Sequence, residues 1–238
     1  MDINRKVLEY YSTQSISEQD IKSVIDCLNS GWLSQGPKIK EFEKKLGTLC
    51  NNNNVISTNS ATSALHLAYK IVGVKKGSIV WTTPITFTAT LNAAIQEGAC
   101  VDFVDIDPKT LNLCPNLLEE KLKKVKDKRD LPDIVTTVHF AGNPCELNKI
   151  HKLSIEFGFK IIEDASHALG AYYDGNPIGQ NKYSDASVFS FHPVKMITTG
   201  EGGALLLNNG VDQELAELFR SHGINRNRVY EEGEKISP

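Results

Sequence analysis

Short runs of β-branched and aliphatic residues at 55–58, 79–82, 100–104, 134–138, 160–163, 187–191 and 204–207 are interleaved with helix-length stretches at 61–72, 86–97, 115–125, 146–157 and 212–221. Two parallel strands cannot be joined by a tight turn. They need a crossover, usually a helix, and that helix then covers one face of the sheet. The alternation therefore predicts an α/β fold: three layers, a mostly parallel sheet of about seven strands, and helices on both faces. Before the alternation begins, Ser17-Ile-Ser-Glu-Gln-Asp20 resembles a helix start, Ile21, Val24, Ile25 and Leu28 share one face, and Gly31 supplies the stop. Gly36-Pro37 opens a second helix through Phe42 and Leu46. The expected division is a helical segment over 1–40 and one large domain over 41–238, with residues 231–238 polar and closing no element.

A chain of 238 residues with 40% hydrophobic and 23% charged residues buries a core without help from metals or disulfides. The net charge of -3 leaves no polycationic footprint for nucleic acid, and Lys121-Leu-Lys-Lys-Val-Lys126 alternates as the solvated face of a helix does. Five scattered cysteines without a Cys-x-x-Cys pair are expected to be reduced packing residues. His66, His139, His151 and His222 have no metal-ligand spacing, so no metal is expected. The start, Met1-Asp-Ile-Asn-Arg-Lys6, lacks the apolar core of a signal peptide, and no stretch is long enough to cross a bilayer. A cytoplasmic protein without a membrane partner is the expectation.

Chemistry concentrates late in the chain. Lys195 lies between the strand-like Ala186-Ser-Val-Phe-Ser-Phe191 and Gly200, Gly202 and Gly203; Asp164 follows Phe159-Lys-Ile-Ile-Glu163. A lone lysine is ordinarily a solvated charge, and an Asp after a strand ordinarily caps a helix. Together, at strand ends where α/β proteins place ligands, they suit pyridoxal phosphate. That cofactor needs an amine to carry its aldehyde as a Schiff base and a carboxylate to keep its ring nitrogen protonated. Asn59-Ser60-Ala61-Thr62-Ser63-Ala64 opens a helix, where free N–H groups and the dipole favour an anion, although a plain cap fits those residues equally well.

These segments, with Trp32-Leu-Ser-Gln-Gly-Pro37 and Thr83-Pro-Ile-Thr-Phe87, occur in the order found in the DegT/DnrJ/EryC1/StrS sugar aminotransferases, and the chain resembles that family from about residue 31 to 223. The resemblance implies the large domain of the aspartate aminotransferase fold type, with pyridoxal 5'-phosphate as cofactor. It implies that Lys195 carries the aldehyde and is the catalytic residue, and that Asp164 pairs with the ring nitrogen. Ala61, Thr62 and Ser190 would hold the phosphate, Phe87 would stack on the ring, and His167 would lie near the phenolic oxygen. His192 is unassigned. Within the family, the segments 183–195, 197–203 and 219–224 look most like members that aminate a UDP-4-keto-6-deoxy-N-acetylhexosamine on the pseudaminic acid route, with L-glutamate as donor. Their product is UDP-4-amino-4,6-dideoxy-N-acetyl-β-L-altrosamine. Family members continue past residue 238 into a small C-terminal domain and work as homodimers, so this chain is expected to fold its sheet but to turn over little or not at all alone. The alternatives are a truncated homologue that only binds nucleotide sugars or regulates, and a sugar dehydratase of the same superfamily. Dehydratases carry histidine in place of the Schiff-base lysine.

Overall fold

A computed structural model describes residues 12–224; the expectations for residues 1–6 and 231–238 lie outside the described residues. In chain order, α1 (Glu18–Asn29) and α2 (Pro37–Cys50) precede β1 (Val55–Thr58), α3 (Ala61–Val72), β2 (Ile79–Thr82), α4 (Ala89–Gln96) and β3 (Cys100–Phe103). Then come α5 (Pro115–Lys124), β4 (Ile134–Val138), α6 (Leu147–Phe157), β5 (Lys160–Asp164), β6 (Tyr172–Tyr173), β7 (Asn176–Pro177), β8 (Ala186–Ser190), β9 (Gly203–Leu207) and α7 (Gln213–Arg220).

One sheet has the order β1-β9-β8-β5-β4-β2-β3, in which β9 runs antiparallel to both its neighbours and every other pairing is parallel. Successive strand residues face opposite ways, so the central strands feed two cores. Ile161 packs in a cluster with Leu118, Leu122, Ile150 and Leu153 of α5 and α6. Ile162 belongs to the other cluster, with Leu65, Tyr69, Val72 and Ala93 of α3 and α4. These are the three layers and seven strands expected from the alternation.

Local differences have local causes. The helix expected over 86–97 begins at Ala89, because Thr90 N–H donates to the Phe87 carbonyl in a tighter turn first. The hairpin β6–β7 was not anticipated, though Asp174 (φ 49) and Gly175 (φ 72) supply the two positive-φ residues that a type I′ turn requires. α5 buries Leu118 and Leu122 while Lys121, Lys123 and Lys124 pair with Asp102, Glu119 and Glu120, as a solvated face should. All five cysteines are free; Cys50 and Cys145 pack in the core, but Cys100 is exposed because β3 is an edge strand. No helix among the described residues is long and apolar enough to cross a membrane.

Candidate active site

From β2 the chain steps outward to β3 at the sheet edge, then returns to lay β4, β5 and β8 on the other side of β2. Loops leaving the carboxyl ends of strands diverge at such a reversal and open a crevice there. Asp164 ends β5, 4% exposed. His167 follows in the next bend, and Lys195 sits in the β8–β9 connection, its N–H donating to the His192 carbonyl at 2.9 Å. The three side chains are close enough for their charges to act on one another. Burial pushes the Lys195 ammonium below the ordinary lysine value, against the pull of the Asp164 carboxylate. Burial, then the positive charge of Lys195, pushes His167 below the ordinary imidazole value, again opposed by Asp164.

Asp164 is held from several directions. Its Oδ2 accepts the Thr90 hydroxyl at 2.6 Å and its Oδ1 the Ser166 N–H at 3.2 Å. Thr86 lies 2.8 Å from Thr90, hydroxyl to hydroxyl. The Tyr69 hydroxyl donates to the Thr90 carbonyl at 2.8 Å from a fully buried position, where desolvation raises its pKa well above the usual tyrosine value. Beneath the site, His139 N–H donates to the Asp164 carbonyl at 3.1 Å. His139 Nδ1 accepts the Cys145 N–H at 3.1 Å, so its ring proton lies on Nε2 and goes to Glu163 at 2.7 Å. The Ser184 hydroxyl occupies the other Glu163 oxygen. Gly142, φ 83, presses this strand end against the site loop: a Cβ there would stand 2.7 Å from the His167 carbonyl oxygen.

The first turn of α3 is built as a cup. Ser60 is the N-cap, its Oγ accepting the Ser63 N–H at 3.1 Å, and the N–H groups of Ala61 and Thr62 have no acceptor among the described residues. At residue 203 a Cβ would stand 2.4 Å from the Ser60 carbonyl carbon and 2.5 Å from the Ala61 nitrogen, so only glycine lets β9 run this close to the helix end. Gly203 pairs with Ser190 on one side and Thr58 on the other. The hydroxyl of buried Ser190 is thereby brought to the same corner, two places along β8 from Val188, which pairs with Asp164. Free helix N–H groups, a hydroxyl and the helix dipole fit a phosphate.

Of the expected site residues, Asp164, His167 and Lys195 converge, and Ala61, Thr62 and Ser190 gather beside them. Phe87 lies in the loop between β2 and α4, 75% exposed, and His192 is exposed, its N–H directed at Ser190 Oγ and its Nδ1 accepting the Val194 N–H, each at 3.4 Å. Thr90, Tyr69, His139 and Glu163 were not picked out, because Thr90 lies 74 positions from Asp164 and no spacing rule links them. A concavity of about 790 Å³ lies against α3 and α7, reaching Thr58, Asn59 and Ser63 at the start of α3; its Lys70 and Arg220 are already paired with Glu97 and Glu43.

The chain is 43% identical over 221 residues to the UDP-4-amino-4,6-dideoxy-N-acetyl-beta-L-altrosamine transaminase of Campylobacter jejuni, covering 93% of this chain and 57% of that protein. Among solved structures it resembles Helicobacter pylori PseC, an aminotransferase involved in the biosynthesis of pseudoaminic acid, with a TM-score of 0.83, 33% identity and coverage of 91% of this chain and 56% of that one. The PLP form of the putative sugar aminotransferase Spr1654 from Streptococcus pneumoniae superposes with a TM-score of 0.81 at 30% identity, covering 92% and 59%. The chain thus spans a little over half the length of the relatives it matches. Aminotransferases of this kind depend on pyridoxal 5'-phosphate. Because the family model matches residues 14–235, nearly its whole length, the chain belongs to the DegT/DnrJ/EryC1/StrS aminotransferase family.

Proposed function

We propose that this chain carries the cofactor-binding large domain of an aminotransferase that moves an amino group from L-glutamate to the 4-keto group of a UDP-4-keto-6-deoxy-N-acetylhexosamine, in pseudaminic acid or related nucleotide-sugar biosynthesis. The observation that supports the proposal is that β5, β8 and β9 bring Asp164, Ser190 and Gly203 to strand ends beside the free first-turn N–H groups of α3, with Lys195 and Asp164 near enough for their charges to act. When bound, pyridoxal phosphate supplies an aldehyde that takes up the amino group and a ring that acts as an electron sink. Asp164 would hold a proton at the ring nitrogen through a charge-assisted bond. Lys195 supplies the amine that engages the aldehyde. Its Nζ, less basic than an exposed lysine's, would be suited to take up a proton from the amino donor and give it back. Ala61, Thr62 and Ser190 hold the phosphate, the exposed face of Phe87 is free to stack on the ring, and His167 lies by the phenolic oxygen. A division at residue 40, a homodimer in the full-length protein and a cytoplasmic location belong to the same proposal.

The test is direct: L-glutamate and the UDP-4-keto sugar are incubated with the full-length protein, and 2-oxoglutarate and the 4-amino sugar are measured by mass spectrometry. Formation of both in equal amounts supports the proposal. Deoxygenation of the sugar without amine transfer would assign the protein to the dehydratases, and inertness toward every keto sugar tried would reduce it to a binding protein.

A further inference from the structure

The hydroxyl of Thr90 touches Asp164 from a completely buried position, and its single proton is spoken for. An ionised carboxylate only accepts, so the 2.6 Å contact to Asp164 Oδ2 is a bond donated by Thr90. The Thr86 hydroxyl, 2.8 Å from Thr90 Oγ1, must then be the donor in that pair. The Thr90 carbonyl takes the one proton of Tyr69 at 2.8 Å, and Thr136 is left to donate to the Tyr69 oxygen, also at 2.8 Å. Thr90, Tyr69 and Thr136 are completely buried, and Thr82 ties the Thr136 carbonyl at 2.9 Å. The result is a one-way chain, Thr86 to Thr90 to Asp164, with its middle member clamped through its backbone. Hydrogen bonds in series within a low-dielectric interior strengthen one another.

We propose that Thr90 is a positioning residue that keeps the shared proton on the ring nitrogen of bound pyridoxal phosphate instead of on Asp164. The inference rests on the pairing of Asp164 with that nitrogen proposed above. A bond donated to a carboxylate favours its charged form over the acid. With Thr90 donating, Asp164 is a poorer resting place for the proton, so the pair is held as pyridinium and carboxylate. Thr90 also occupies Oδ2, which leaves Oδ1, carrying only the longer Ser166 contact, for the ring N–H.

The test is the nitrogen-15 resonance of the ring in holoprotein loaded with ring-labelled pyridoxal phosphate, compared among wild type, Thr90→Val, Thr90→Ser, Thr86→Val and Asp164→Asn. Thr90→Val should move the resonance toward the unprotonated position and Thr90→Ser should restore it. Thr86→Val, at the partly buried outer end of the chain, should move it the same way by less, and reads the chain even if Thr90→Val does not accumulate. A resonance that moves in Asp164→Asn but in neither Thr90→Val nor Thr86→Val overturns the role of Thr90 alone, as does equal movement in Thr90→Val and Thr90→Ser. No movement in Asp164→Asn overturns the ring pairing, and this inference with it.

Discussion

Burial and then the charge of Lys195 lower the proton affinity of His167, burial lowers that of Lys195, and Asp164 opposes both effects. Taking away the lysine charge should therefore raise the pKa of His167. In Lys195→Met, the His167 imidazole followed by NMR should titrate at a higher pH than in wild-type apoprotein; an unchanged curve would mean that the two side chains are not neighbours. Asp164 matters differently. In its proposed role of keeping the ring protonated it is expected to be dispensable for binding, so Asp164→Asn should retain pyridoxal phosphate in an absorbance titration yet lose turnover by roughly 100- to 10,000-fold. Near-normal turnover would reduce Asp164 to a capping residue. Lys195 and Asp164 could be nominated from the sequence because an acid at a buried strand end and a lysine between a strand and a glycine-rich turn are chemically unusual. Thr90 was not, because a threonine in an apolar helix says nothing until the fold sets it 2.6 Å from a carboxylate.

At the scale of elements, the glycines around residue 200 separate into those with work to do and those without. Gly203 lies where β9 grazes the first turn of α3, and the clash a Cβ would make there is with backbone, which cannot rotate away. Gly203→Ala should cost about 1–3 kcal/mol by overpacking and should also loosen cofactor binding, since the cup must shift to admit the methyl. Gly210→Ala, with nothing within 4 Å of its Cβ, should stay within about 0.5 kcal/mol of wild type. Urea denaturation of the two variants decides this, and equal losses would contradict it. Strand positions were readable from their continuous apolar runs, because β4, β8 and β9 are buried on both faces. Boundaries were less readable: Thr86, Thr88 and Thr90 are all credible helix starts, and only the Phe87 turn selects among them. The β6–β7 hairpin escaped because its two-residue strands are too short to show a period.

Across the whole molecule the cores are complete without α1. Its capping box, Ser17 with Asp20, forms as the sequence implies, but no residue of α1 is buried. Val24 and Leu28 are 60% and 62% exposed. The amphipathic pattern was legible, whereas the lack of anything among the described residues packed on its apolar side could not be read from the pattern itself. Val24→Ser should accordingly change unfolding free energy by less than about 0.5 kcal/mol, against about 2–5 kcal/mol for Leu122→Ala in the core between α5 and the sheet. A loss of core size at Val24 would mean that α1 packs on the sheet in solution. In the proposed function a single lysine, Lys195, engages the cofactor. Reducing pyridoxal phosphate-loaded protein with borohydride and mapping the peptides by mass spectrometry should find the pyridoxyl mass on Lys195, and no label in Lys195→Ala; a label on Lys182 or any other lysine, or none in the wild type, would contradict it.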